Sequence, residues 1–209
     1  MHTHTTSPQA LDLLKAISTD QVFDSFYLVG GTALALQIGH RESDDLDLFT
    51  QSDFDTTLLK PLFKLGEHQV IAAHPNSIEL TINKVKVHLR YFGYPLYKNL
   101  VQLHHIRLAD PVDIGLMKLL SLTGRDARKD IVDLYFIDRE VIALEELLTI
   151  CDAFYPSDTF NLYDSTKSIF DQKVIEKQPL PKMHEKLKWE KAYQRVSQTV
   201  TAFIRQKTT

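Results

Sequence analysis

The chain has 209 residues, 44% of them apolar and 24% charged, and a formal net charge of −3. That is enough for one large domain or two small ones with a real core, and the balance is that of an ordinary globular protein. No window is long and apolar enough to span a bilayer, and the one cysteine, Cys151, excludes an internal disulfide. No membrane association is expected, and a reducing cytoplasm is the expected location. The charge is unevenly spread. From Lys173 onward there are nine Lys/Arg and three Glu, so an acidic body precedes a basic end. Such an end can hold a phosphate backbone or simply form a solvated helix face.

The opening "MHTHTTSPQA" has neither the basic nor the apolar region of a secretory signal. His2 and His4 read as part of a disordered end. "SPQALDLLKAI" predicts a first helix with Ser7 as N-cap and Pro8 at N1. "FYLV" (26–29) predicts a short buried strand, and "GTALALQIG" a helix opened by Gly31 and closed near Gly39. "DLDLF" (45–49) alternates as a half-buried strand does. "DFDTTLLKPLFKLG" predicts a helix disturbed by Pro61. "HQVIAA", "IELTI" and "VKVHLRYF" are three strand candidates, the last two joined by a tight turn at Asn83-Lys84.

After Tyr94-Pro95 helical patterns take over. "DPVDIGLMKLLSLTG" has Asp110 as N-cap and Pro111 at N1; "RDARKDIVDLYFIDR" and "ALEELLTICDAF" follow. Residues 171–183 read as a polar connector containing prolines, and "HEKLKWEKAYQRVSQTVTAFIRQ" as a long terminal helix. Cys151 and Trp189 read as packing residues, and His104-His105 as background. The expected organisation is a mixed α/β domain over 1–108 and a helical domain over 109–209.

The chemistry concentrates between residues 27 and 50. In a strand, residues i and i+2 share a face, so Asp45 and Asp47 project together while Leu46 and Leu48 enter the core. Two adjacent carboxylates repel unless a divalent cation lies between them. Gly30-Gly31 stands between a strand and a helix, where glycine lets the backbone approach an anion. The helix start at Thr32 offers unsatisfied N–H groups and a positive dipole end. This is neither a Walker A loop nor a dinucleotide-binding fingerprint. A strand–helix–strand path would bring the glycines and the aspartates to one accessible groove at the sheet edge.

"VGGTALALQIGHRESDDLDLF" resembles the signature of the AbiEii/AbiGii toxin family, a branch of the polymerase-beta-like nucleotidyltransferases. The family pattern of strand, Gly-Gly, helix, Arg-x-Ser and Asp-hydrophobic-Asp maps onto Gly30, Gly31, Arg41, Ser43, Asp45 and Asp47. A later family block resembles "DIGLMKLLSLTGRDARKDIVDLYFI" and maps onto Lys118, Arg125, Asp130 and Asp133. The resemblance implies an α+β fold: a nucleotidyltransferase-type mixed sheet with flanking helices, then a helical C-terminal half. It implies transfer of NMP from an NTP to an acceptor, as in relatives that act on the 3′ end of tRNA, and a toxin role in toxin–antitoxin or phage-defence systems. A cognate antitoxin is then a possible partner, without implied direct contact.

In that reading Asp45 and Asp47 hold Mg2+ (or Mn2+), and Gly30, Gly31 and Thr32 cradle the triphosphate. Arg41, Ser43 and Arg125 belong to nucleotide binding. Lys118 reaches the groove to neutralise phosphate charge, with Asp130 beside it. The bland alternative makes Lys118, Arg128 and Lys129 surface ion-pair partners of Asp130 and Asp133, which share a helix face. One departure stands out. The family pattern usually supplies a third carboxylate from a later strand, and "VKVHLRYF" offers Lys86, His88 and Arg90 on its polar face. His88 then takes the third position, or Glu79 on the neighbouring strand substitutes. A missing acid would weaken activation of the acceptor hydroxyl. Two alternatives therefore remain: a catalytically weakened nucleotide-binding module, and a nucleotidyltransferase acting on a small molecule.

Overall fold

The computed structural model describes residues 1–122, 127–155, 164 and 166–207. They fall into two compact units, Met1–Asp110 and Pro111–Thr209. The first unit is built on a seven-stranded mixed sheet of order β3-β4-β5-β2-β1-β7-β6. Its strands are β1 (Tyr27–Val29), β2 (Leu46–Thr50), β3 (His68–His74), β4 (Ser77–Ile82), β5 (Val85–Tyr91), β6 (Val101–Leu103) and β7 (Ile106–Leu108). β2 runs parallel to β5 and β1 parallel to β7; the other pairs are antiparallel. Three helices accompany them: α1 (Pro8–Thr19), α2 (Gly30–Ile38) and α3 (Leu59–Phe63).

Local chemistry explains most boundaries. The Ser7 hydroxyl accepts the Ala10 N–H at 3.3 Å and Pro8 opens α1, as a capped N-terminus requires. α2 ends at Gly39, whose φ of +77° is the left-handed C-terminal conformation. Asn83 and Lys84 both have positive φ, which closes the β4–β5 hairpin as a tight turn. Leu46 and Leu48 are buried while Asp47 and Phe49 are half-exposed, so β2 alternates as its sequence dictates.

Four expectations are corrected. The N-terminus is not disordered: Thr3–Thr5 form a 3-10 turn, and the His2 N–H donates to the Leu36 carbonyl at 2.9 Å. The helix around Pro61 shrinks to five residues after a 3-10 turn at Thr56–Leu58. Proline has no N–H to return to the preceding turn, so it fits only the start of a helix. The hairpin β6–β7 left no strand signal, because each strand has three residues and the turn is His104-His105, with His104 at φ +51°. The terminal helix begins at Trp189, not His184. Its buried face starts there, with Trp189, Ala192, Val196, Thr199 and Val200, and the exposed residues before it have nothing to bury.

The second unit holds α4 (Pro111–Ser121), α5 (Ala127–Glu140), α6 (Leu144–Phe154), the short α7 (Gln172–Ile175) and α8 (Trp189–Lys207). Cys151 is fully buried on α6, and burial pushes its thiol up to about 12, so it packs as an inert hydrophobe. Trp189 is buried under the Arg128 guanidinium, 4.7 Å from the ring centroid.

One ion cluster ties α8 to α5 and α6. Arg195 donates from Nε and Nη2 to the two Asp138 oxygens, each at 2.8 Å, and from Nη1 and Nη2 to Glu145 at 2.9 Å. Asp138 also accepts the Leu144 N–H at 2.8 Å, at the start of α6. Burial opposes the Asp138 charge, but hydrogen bonds from Arg195 and Leu144 outweigh it and hold the carboxyl below its usual value. A pKa lower in the folded state stabilises above the unfolded value of about 4, and that stabilisation is lost as pH falls through the folded value. Arg195→Met is expected to cost about 1.5–3 kcal/mol at pH 7. Urea unfolding should show the gap from wild type closing below about pH 4.

Candidate active site

β1 is entirely buried and delivers the chain to Gly30 at the N-terminus of α2. Gly30 adopts φ +68°, and a Cβ there would stand 2.6 Å from Asp47 Oδ2. A Cβ on Gly31 would collide with the Arg41 guanidinium and lie 3.0 Å from Ser43 Oγ. Gly30 is favoured by its left-handed backbone, and a side chain at either glycine would push aside Asp47 or Arg41. Val29, the residue before α2, supplies no side-chain cap. The first-turn N–H groups of α2 thus begin beside the Asp47 carboxylate, where a helix offers partial positive charge.

Thr32 is fully buried. Its hydroxyl donates to the Asp45 carbonyl at 2.5 Å and lies 3.0 Å from Ser43 Oγ. Its side chain therefore positions the aspartate segment. Arg41 is 4% exposed and donates from Nη1 to the Glu42 carbonyl at 2.9 Å. It places a buried positive charge under Gly31. Sequence reasoning missed a third anchor. The Ser43 N–H donates to the Thr5 carbonyl at 2.9 Å, the Thr6 hydroxyl to the Ser43 carbonyl at 3.1 Å, and the Ser7 N–H to Asp44 Oδ1 at 2.6 Å. No motif in "TTS" signals this role, since its partners lie far along the chain.

Asp45 is exposed, one residue ahead of β2, and Asp47 is half-exposed on the strand. Across the parallel pair, Asp47 faces His88; across the next pair, His88 faces Glu79. His88 Nδ1 lies 3.9 Å from Asp47 Oδ1, beyond hydrogen-bond reach. Burial, then the positive charges of Arg90 and Lys86 against the opposing pull of Glu79, lower the His88 pKa. The imidazole is neutral at neutral pH. Glu79 is one strand farther out, about 10 Å from Asp47 by strand spacing, and pairs with Lys86 Nζ at 2.7 Å.

Among the described residues no group of three or more His, Cys, Asp or Glu closes on one point. The candidate donors are two accessible carboxylates, Asp45 exposed and Asp47 half-exposed, with Asp47 Oδ2 packed close to Gly30. That suits a hard cation whose remaining ligands are water and phosphate oxygens.

The second sequence block lies in the helical unit. Lys118 on α4 is 7% exposed, and its ammonium donates to Asp130 at 2.7 Å and Asp133 at 2.6 Å. Asp133 is fully buried. This is a buried ion triad within one unit, not a surface pair. Arg128 takes another path, donating to the Glu176 carbonyl at 3.0 Å. Arg125 lies outside the described residues. Removing the lysine leaves a buried carboxylate without its cation, so Lys118→Met should cost about 3–5 kcal/mol in equilibrium unfolding. A variant as stable as wild type would deny the triad its structural weight.

Residues 12–99 match the family model described as nucleotidyl transferase AbiEii toxin, type IV TA system. An uncharacterized protein of Aquifex aeolicus (strain VF5) is 30% identical over 134 residues, 62% of this chain and 65% of its own length. The match spans just under two thirds of that relative. Two Helicobacter pylori crystal structures share the fold. One is a candidate nucleotidyltransferase, with 18% identity, a TM-score of 0.53 and 96% of each chain covered. The other is JHP933, with 19% identity, a TM-score of 0.57, and 96% of this chain and 94% of that one covered.

Proposed function

We propose, from the match of residues 12–99 to the AbiEii nucleotidyltransferase family model, that this protein transfers a nucleoside monophosphate from an NTP to an acceptor hydroxyl. The observation that carries the reading is Gly30 set against Asp47 at the start of α2, where Val29 gives no side-chain cap. Triphosphate-binding N–H groups and metal-binding carboxylates then meet at one place. Asp45 and Asp47 hold a divalent cation, Mg2+ or Mn2+, which when bound neutralises charge on the reacting phosphates. The N–H groups of the half-exposed Gly30 and Gly31 take the phosphate oxygens, with the buried Thr32 holding the turn from beneath, and the buried Arg41 adds positive potential behind them. The acceptor oxygen bonds to the α-phosphorus, the bond to the bridging oxygen breaks, and pyrophosphate leaves. The acceptor proton passes to solvent or to a base at the edge of the site. RNA, in particular the 3′ end of tRNA, is the acceptor in this reading, and the role is that of a toxin.

One observation favours a second reading. His88 stands where a third carboxylate would be expected, which suits a nucleotide-binding module with weak transfer. Incubation with labelled NTPs and total RNA separates the two. Transfer by wild type, reduced on the order of 100-fold in Asp45→Ala, supports the enzyme. NTP binding without transfer supports the module, and label on a small molecule instead of RNA redirects the acceptor.

The RNA reading draws on the basic end of the chain. Lys173, Lys177, Lys182, Lys186, Lys188 and Lys191 are all exposed. Phosphate contacts by such lysines release counterions, so binding should weaken steeply with salt. Replacing Lys186, Lys188 and Lys191 together by Gln is expected to lower tRNA affinity and flatten its salt dependence, with NTP affinity unchanged. Filter binding at several salt concentrations checks this. A triple variant that binds tRNA like wild type reduces the segment to a solvated face.

A further inference from the structure

The sheet face that carries Asp47 also carries an aromatic group that the transfer chemistry does not use. Alternation along β2 puts Phe49 on the face of Asp47, about 7 Å further along the strand. In the parallel pairing with β5, Asp47 stands opposite His88 and Phe49 opposite Arg90. Just past β5, the Phe92 ring stacks on Phe49, with centroids 5.7 Å apart and planes at 27°. Tyr94 meets Phe92 edge-on at 5.5 Å. The three rings are half-exposed and Arg90 is exposed. The segment that carries Phe92 and Tyr94 is fastened to the end of β2 and to Gln51 beyond it. The Phe92 N–H donates to the Thr50 carbonyl and Gln51 Nε2 to the Tyr94 carbonyl, both at 2.8 Å.

The surrounding face is polar: Asp47, Glu79, Lys86 and His88 share it. Stacked rings left half open on such a face keep apolar area in water, which core packing alone would avoid. Ring area left half-exposed on such a face suits a flat aromatic ligand, and the neighbouring guanidinium suits a phosphate.

We propose that Phe49, Phe92 and Tyr94 form a stacking platform for the terminal nucleobase of a single-stranded nucleic-acid acceptor, with Arg90 on an adjoining phosphate. The inference rests on the nucleotidyl-transfer reading. The sheet order separates acceptor from donor: β1 and β5 flank β2 on opposite sides. Gly30 approaches Asp47 from the β1 side, where α2 begins, so the triphosphate occupies that side. The rings and Arg90 lie toward β5, the side left for the strand end whose hydroxyl attacks. Stacking accepts any base, because every base has a π face. The platform thus selects an unpaired end, not a sequence.

The test uses the full chain with Ca2+, so that binding is read without transfer. Fluorescence anisotropy compares a labelled single-stranded oligoribonucleotide with the same strand abasic at its 3′ terminus. A parallel titration measures an NTP analogue with a methylene between the α and β phosphorus atoms. Phe92→Ala is expected to weaken the intact strand about tenfold and leave the abasic strand and the analogue unchanged. Phe92→Tyr should bind like wild type. Phe92→Leu keeps the apolar bulk without the π face, and the same loss is expected of it if the alanine variant does not fold. Wild-type affinity for the intact strand in the Ala or Leu variant overturns the platform. So does a loss that falls on the analogue, which would make the rings a site for the incoming base, and so does a wild type that binds no strand. A wild type that binds the strand through Phe92 but no analogue sinks the transfer reading and leaves the platform standing.

Discussion

The Asp47 carboxylate and the first turn of α2 approach so closely that any side chain at residue 30 would collide with Oδ2. That contact needs a backbone at φ +68°, which glycine alone adopts without strain. It also needs the segment from Arg41 to Asp45 to stay in place. The buried Thr32 hydroxyl holds it at the Asp45 carbonyl, Arg41 packs under Gly31, and Thr5 to Ser7 grip Ser43 and Asp44 from the other side. Two separate stretches of chain, together with the loop's own Arg41, thus fix one short loop. A metal site whose carboxylates are placed before the ligand arrives loses less to ordering when the ligand binds.

The sequence carried the site's centre plainly because its signals are local. Alternation in "DLDLF" separates Leu46 and Leu48 from Asp47, and glycines between a strand and a helix mark the close approach. The Asn83-Lys84 turn is legible for the same reason. What escaped depends on partners far apart in the chain. The hydrogen bonds from Thr6 and Ser7 reach residues 37 positions away, and no periodicity announces them. The family resemblance already puts His88 at the third-acid position; what no local pattern supplies is the register, which sets it opposite Asp47 and Arg90 opposite Phe49. β6 and β7 are too short for any pattern to build up.

Lys118 shows the same limit from another side. Its sequence context allows a phosphate-neutralising lysine or a surface ion pair. Only burial separates those from the arrangement found, a cation enclosed by Asp130 and the fully buried Asp133. An ammonium already matched by two carboxylates contributes little unbalanced charge to an approaching phosphate. Its clearest work is to make burial of Asp133 tolerable, since an ion left alone in a low-dielectric interior costs several kcal/mol or more.

Charge on the polar sheet face follows from one substitution in the expected pattern. With a third acid at position 88, three carboxylates would attract a cation strongly on their own. Instead His88 stands there, its pKa kept down by burial first and then by Arg90 and Lys86. Lys86 is matched by Glu79, which leaves Arg90 as the exposed positive group nearest Phe49. The pair Asp45/Asp47 alone gives a divalent cation fewer anionic ligands, and Mg2+ gives up its water reluctantly for anything weaker than phosphate or carboxylate. Under the proposed transfer, a cation held by two carboxylates would draw its remaining ligands from the triphosphate, so metal and nucleotide would arrive as a coupled pair. The same loss of negative charge lowers repulsion toward a second polyanion on the β5 side. With Glu79 matched by Lys86, this face is left acidic at Asp47 and basic at Arg90, the charge order that the proposed transfer, with a cation between two phosphate-bearing molecules, would need.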